Sequence, residues 1–236
     1  MKKDILKIVH SAVMSKVFKM FFSFNIKPVE LLFKNEDKCL VIAPHPDDES
    51  IGCGGVLNLY PNNFEVICLT YGKQEDIREK EFKEAMNVAE INKFSMMALK
   101  DKSIIDGFSQ FKEIDISNYD YIFIPNIFDQ HKDHKAVAIL LSKLLSEKKY
   151  KKELKIAFYE VWSTLTVPSH FANITSVVDK KREMINKHES QIATKSYADK
   201  IIGLNSYRGL LKNIDFAEAF CILNASDFKS NINNLA

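Results

Sequence analysis

Five short apolar runs, at residues 39–43, 64–70, 94–97, 121–125 and 155–159, alternate with stretches of helical periodicity at 51–59, 77–91, 134–145 and 179–188. That alternation constrains the fold more than anything else in the chain. Runs of four to seven apolar residues are too short for buried helices and suit strands covered on both faces. Strand followed by helix, repeated, predicts an α/β fold: a Rossmann-like three-layer domain with a mainly parallel sheet and helices on both faces. Such sheets bind ligands beyond the carboxyl ends of their strands. Residues 45–49, 71–78 and 129–134 should therefore share one rim. The stretch 164–176 carries little pattern and reads as a long loop or a short hairpin.

With 236 residues, 46% of them hydrophobic, the chain can bury a sizeable core. One domain is expected over residues 37–236, preceded by an amphipathic helical segment at 1–36. Thirty-three basic residues against 31 acidic ones leave a net charge of +2, which gives no electrostatic hold on nucleic acid. Cys39, Cys53, Cys68 and Cys221 show no C-x-x-C spacing and read as reduced thiols of a cytoplasmic protein. In the N-terminal segment Ile5, Ile8, Val9, Ala12, Val13, Val17, Met20 and Phe21 recur at helical spacing. Lys7, His10, Lys16 and Lys19 interrupt any apolar span long enough to cross a bilayer, and no secretory cleavage site stands out. The segment suits a helix packed on the domain, or a peripheral contact with a membrane surface.

Two polar clusters carry the chemistry. Pro44-His45-Pro46-Asp47-Asp48-Glu49 puts an imidazole and three carboxylates directly after the first strand. Charges crowded this closely repel and lose hydration unless a cation or water relieves them. Helix capping accounts for one or two of the acids but not for His45. Asp129-Gln130-His131-Lys132-Asp133-His134 follows the fourth strand and opens another helix. His45 and Asp48 share a three-residue offset, and His131 and His134 repeat it, so each pair can face one point. Two histidines and a carboxylate make a catalytic zinc set, leaving a coordination position for water. Gly52, Gly54 and Gly55 lack G-x-G-x-x-G spacing and read as close helix-to-sheet packing.

The run from Pro44 to Gly55, followed by His131-Lys132-Asp133-His134, resembles the PIG-L/LmbE-like family of zinc-dependent N-deacetylases. Leu69-Thr70-Tyr71-Gly72, Arg78 with Glu81, Tyr159-Glu160-Val161-Trp162 and His188-Glu189-Ser190-Gln191 support the likeness, which spans about residues 39–220. The resemblance implies that His45, Asp48 and His134 hold the metal and that Asp47 is the general base. It implies that His131 stabilises the oxyanion and protonates the leaving amine, with Asp133 holding its ring. Arg78 would contact the substrate sugar or its phosphate; the residue-level alternative is a solvated side chain paired with Glu75 or Glu81. Lys132 stands where a proline is frequent, and Asp129 where some members place a tyrosine, so no catalytic tyrosine is expected.

The expected activity is that of a hydrolase removing acetyl from an N-acetylated amino sugar, a small molecule or a glycoconjugate. Zinc is the expected cofactor, with ferrous iron an alternative that accepts the same ligands. An amidase acting on a sugar-thiol conjugate and a non-catalytic carbohydrate-binding protein are the competing readings. Oligomeric state is left open.

Overall fold

A computed structural model describes residues 27–192, 196–210 and 212–233. The N-terminal helix expected from the sequence lies almost wholly outside them. Among the described residues eight strands form one sheet: β1 (Val29–Glu30), β2 (Cys39–Ala43), β3 (Phe64–Cys68), β4 (Phe94–Met96), β5 (Tyr121–Pro125), β6 (Lys155–Tyr159), β7 (His170–Asn173) and β8 (Ala217–Asn224). The helices are α1 (Asp48–Leu59), α2 (Glu75–Val88), α3 (Phe108–Phe111), α4 (Lys132–Glu147), α5 (Val178–Asn186), α6 (Glu189–Ile192), α7 (Tyr197–Leu210) and α8 (Ala225–Asn233).

Strand order is β1-β7-β8-β6-β5-β2-β3-β4. All pairings are parallel except those of β8, which runs against both β6 and β7. The expected fold class is therefore the observed one. Residues 164–176 are not a hairpin: β7 pairs with β1 and β8. Residues 29–33, assigned from sequence to the N-terminal segment, supply β1 and bury Leu31 and Phe33 in the core.

Side chains of β2 alternate between two cores, as the strand period of two requires. Leu40 and Ile42 pack with Val137 and Leu141 of α4 and Phe228 of α8. Cys39 and Val41 pack with Val56 of α1, Phe82 and Met86 of α2, and Met184 of α5. Helices thus cover both faces. The three cysteines 39, 53 and 68 are buried and free. Among the described residues no helix is long and apolar enough to cross a membrane.

After β2 the chain builds β3 and β4 on one side, then returns to place β5 on the other side of β2. The order reverses between β2 and β5, which makes their carboxyl ends the crevice where such sheets bind ligands. Both polar clusters follow these two strands. Close packing of α1 on the sheet fixes the first of them: a Cβ on Gly52 would overlap the ring of Tyr159, and one on Gly55 would overlap Ile174.

Candidate active site

His45 leaves β2 and lies buried with its two ring nitrogens turned to different partners. Nδ1 is 3.2 Å from Asp48 Oδ2, while Nε2 is 3.3 Å from both Asp133 Oδ2 and Asp101 Oδ1. Asp48 opens α1, and its Oδ2 also accepts the His45 backbone N–H at 2.9 Å. The same Oδ2 lies 3.3 Å from His134 Nε2. On the far side of that ring, Nδ1 is 3.3 Å from Asp129 Oδ2. His131 completes the group: its ring centroid is 4.8 Å from that of His45 and 5.0 Å from that of His134. Ligand atoms of His45, His131 and His134 come within 4.8 Å of one another.

Among the described residues, Asp48 Oδ1 and both ring nitrogens of His134 are buried with no hydrogen-bond partner. The carboxylates beside His134 are close but out of hydrogen-bond alignment. Three orphaned polar atoms in one buried cluster are costly, since each forfeits its hydration. A cation bound by His45, Asp48 and His134 would satisfy Asp48 and one His134 nitrogen, leaving the other to face Asp129, so the residues present fit a divalent metal. Asp133 and Asp129 then do for His45 and His134 what outer carboxylates do for metal-bound histidines, fixing ring orientation.

Protons fill part of that need in the free protein. Burial works against a charged ring at His45, but hydrogen bonds to Asp133 and Asp48 prevail and push it up to about 9. Burial opposes charge at His134 too, yet Asp48 and Asp129 raise it to about 10. Asp48 moves the other way, far below the usual carboxylate range: burial is outweighed by His134 and His45.

Asp47 differs from its neighbour. Burial and the adjacent Asp48 charge push its carboxyl up to about 7, with Arg78 pulling against them. Its backbone sits at φ 128°, ψ −31°, and its side chain makes no cap hydrogen bond to α1, so capping is not its role. Such conformations cost a non-glycine residue on the order of 1–3 kcal/mol and cluster at functional sites.

Two expectations change. The Asp133 carboxylate does not hold the His131 ring: it accepts the Lys102 N–H at 2.7 Å and faces His45. Instead the Asp133 backbone N–H reaches His131 Nδ1 at 3.3 Å, because His131 is the N-cap of α4. Arg78 is not a solvated side chain paired with Glu75 or Glu81. It is 7% exposed, its guanidinium donating to the Pro46 carbonyl and lying 3.5 Å from Asp47 Oδ1, while Glu81 bonds Ser190. Sequence reasoning also missed Asp129 and Asp101. Asp129 offered a signal, an acid five residues before His134; Asp101 sits in a charged loop with none.

Residues 40–145 match a family model described as PIG-L: GlcNAc-PI de-N-acetylase. The PIG-L match spans both polar clusters and the strands that carry them. Over 192 residues, 69% of this chain and 84% of the relative, the sequence is 28% identical to a probable N-acetyl-alpha-D-glucosaminyl L-malate deacetylase 2 of Bacillus anthracis. The N,N'-diacetylchitobiose deacetylase of Pyrococcus horikoshii superposes with a TM-score of 0.71 at 20% identity, covering 92% of this chain and 93% of that one. GalB, the 4-carboxy-2-hydroxymuconate hydratase of Pseudomonas putida, superposes with a TM-score of 0.62 at 17% identity, covering 79% and 96%. The fold is thus one that a hydratase as well as a deacetylase adopts, and the reaction must be argued from the site.

Proposed function

We propose that this protein hydrolyses the N-acetyl group of an N-acetylated amino sugar of the N-acetylglucosamine type, using a divalent metal, zinc or ferrous iron. The observation that carries this reading is the convergence of His45 and Asp48 with His131 and His134 around buried polar atoms that lack partners. The PIG-L match and the deacetylase named in Bacillus anthracis support it. His45, Asp48 and His134 would hold the ion, whose Lewis acidity supplies carbonyl polarisation and a water acidic enough to attack near neutral pH.

Asp47 accepts the proton of the attacking water; a carboxyl raised toward 7 is matched to that task. His131 Nδ1 accepts the Asp133 N–H, which leaves the ring proton of the neutral imidazole on Nε2. Burial and the charges of His45 and His134 lower its pKa and keep it neutral. It therefore donates a hydrogen bond to the oxyanion, and the proton taken by Asp47 is the one available to the leaving amine. Asp133 and Asp129 orient His45 and His134.

An acetate-release screen tests this reading, using acetylated amino sugars free and linked to nucleotide, lipid or malate, with zinc and iron forms compared. No acetate from any substrate with either metal would sink it; release of other acids would point to an amidase of different specificity. A cytoplasmic location goes with this reading, with residues 1–26 contacting membrane surfaces. Equal liposome flotation of the full chain and one lacking residues 1–26 would remove the membrane contact.

A further inference from the structure

Behind Asp47 lies a second set of buried polar side chains, whose bonds run to Asp47 and to one another rather than to the three proposed metal ligands. Glu49 Oε2 accepts the Asp47 backbone N–H at 3.1 Å. Its other oxygen takes the Ser50 hydroxyl at 2.7 Å and faces His188 Nε2 at 3.2 Å. Glu49, Ser50 and His188 are all buried, and His188 Nδ1 has no partner among the described residues. Arg78 reaches Asp47 from the other side, bonding the Pro46 carbonyl and standing 3.5 Å from Asp47 Oδ1. Gly72, at φ 69°, lets the chain pass against that guanidinium, where a Cβ would collide. One turn along α2 from Arg78, Glu81 accepts the Ser190 N–H at 2.6 Å and its hydroxyl at 2.7 Å. Both arms are therefore anchored on residues 188–190.

We propose that Glu49, backed by His188, and Arg78 are positioning residues for Asp47: Glu49 grips its amide and Arg78 its carboxylate, together holding the strained backbone that aims the side chain. This rests on Asp47 being the base. A surface acid that only started a helix would reach back to the N-cap amide with one oxygen and leave the other to water. Glu49 instead spends both oxygens inside the protein, one on the amide of the residue whose φ only glycine adopts freely.

The test uses the full chain loaded with zinc. Glu49→Ala should lower kcat by on the order of 10²-fold, with KM within about twofold and zinc content unchanged, and Glu49→Gln, which keeps an acceptor for the amide, should restore most of the rate. Arg78→Met should also lower kcat, and Arg78→Lys should recover part of it. A raised KM with kcat intact in Arg78→Met would overturn the proposal by making the arginine a substrate contact. Melting of the metal-free chain needs no substrate and decides the point separately from the activity. Asp47→Gly should melt above Asp47→Asn, because glycine relieves the φ, and the gap should close when Glu49→Gln is replaced by Glu49→Ala as background. No gap, or the same gap in both backgrounds, would overturn the role of Glu49. Should Glu49→Ala not fold, the same comparison is made in Arg78→Lys and Arg78→Met. If the wild type releases no acetate, the activity reading fails while the melting comparison still stands.

Discussion

His45 and Asp133, 88 residues apart in the chain, meet at 3.3 Å between Nε2 and Oδ2, and this contact leaves His45 Nδ1 as the nitrogen facing Asp48. Removing such an outer carboxylate typically costs 10–100-fold in metal affinity. Asp133→Ala is therefore expected to weaken zinc binding by about that factor, read by competition with a chromogenic chelator. Unchanged affinity would mean that the contact does not orient the ring.

Metal uptake should expel protons. His45 and His134 are raised to about 9 and about 10, so both rings are charged at pH 7.5, and a ring must be neutral to bind an ion. Titration calorimetry in buffers of differing ionisation enthalpy should show about two protons released per zinc. The sign for stability follows: folded pKa values above the ordinary 6.5 stabilise the metal-free protein fully below pH 6.5. That stabilisation is lost as pH rises through 9 and 10.

Asp47→Asn keeps the shape of the side chain and removes its basicity. A loss of kcat of roughly 10²-fold or more, with zinc content intact, is expected from steady-state acetate release. A near wild-type rate would dismiss Asp47 as the base.

The acid limb of the rate profile should belong to Asp47. Its carboxyl is raised by burial and by Asp48 and lowered by Arg78, and only its ionised form accepts a proton. Activity therefore rises with pH through that limb. Arg78→Met removes the cation, so the limb should move to higher pH; a shift downward would contradict the contact.

Gly52→Ala would drive a methyl group into the Tyr159 ring, whose hydroxyl donates to the Ile42 carbonyl at 3.0 Å and is not free to retreat. Overpacking of this kind costs about 1–3 kcal/mol, measurable by urea unfolding.

Legibility varied with how local the signal was. The runs at β2, β5 and β6 are apolar and buried but for Tyr121 and Lys155 at the starts of the last two, and their bounds agree between sequence and structure. β8 was not anticipated, because Ala217–Asn224 contains Glu218, whose carboxylate is buried against Lys181 and the N–H groups of Gly55 and Val56. A charge inside a strand is readable only once its distant partners are known. In the site, His45, Asp47, Asp48, His131 and His134 were visible as motifs. The partners of Asp133 and Arg78 were not, since both are set by contacts with residues 101–104 and 46–47 that no spacing rule encodes.

The β2–β5 pairing has a consequence for how the chain finds its fold. The register Cys39↔Tyr121 fixes where each polar cluster emerges. A slip of one residue would displace His134 from His45 by about 3.3 Å, far outside what a coordination sphere tolerates. An ion held by both loops would thus act as a proofreader of strand alignment: it would reward only the native pairing, and mispaired chains would be the ones that chelation leaves behind.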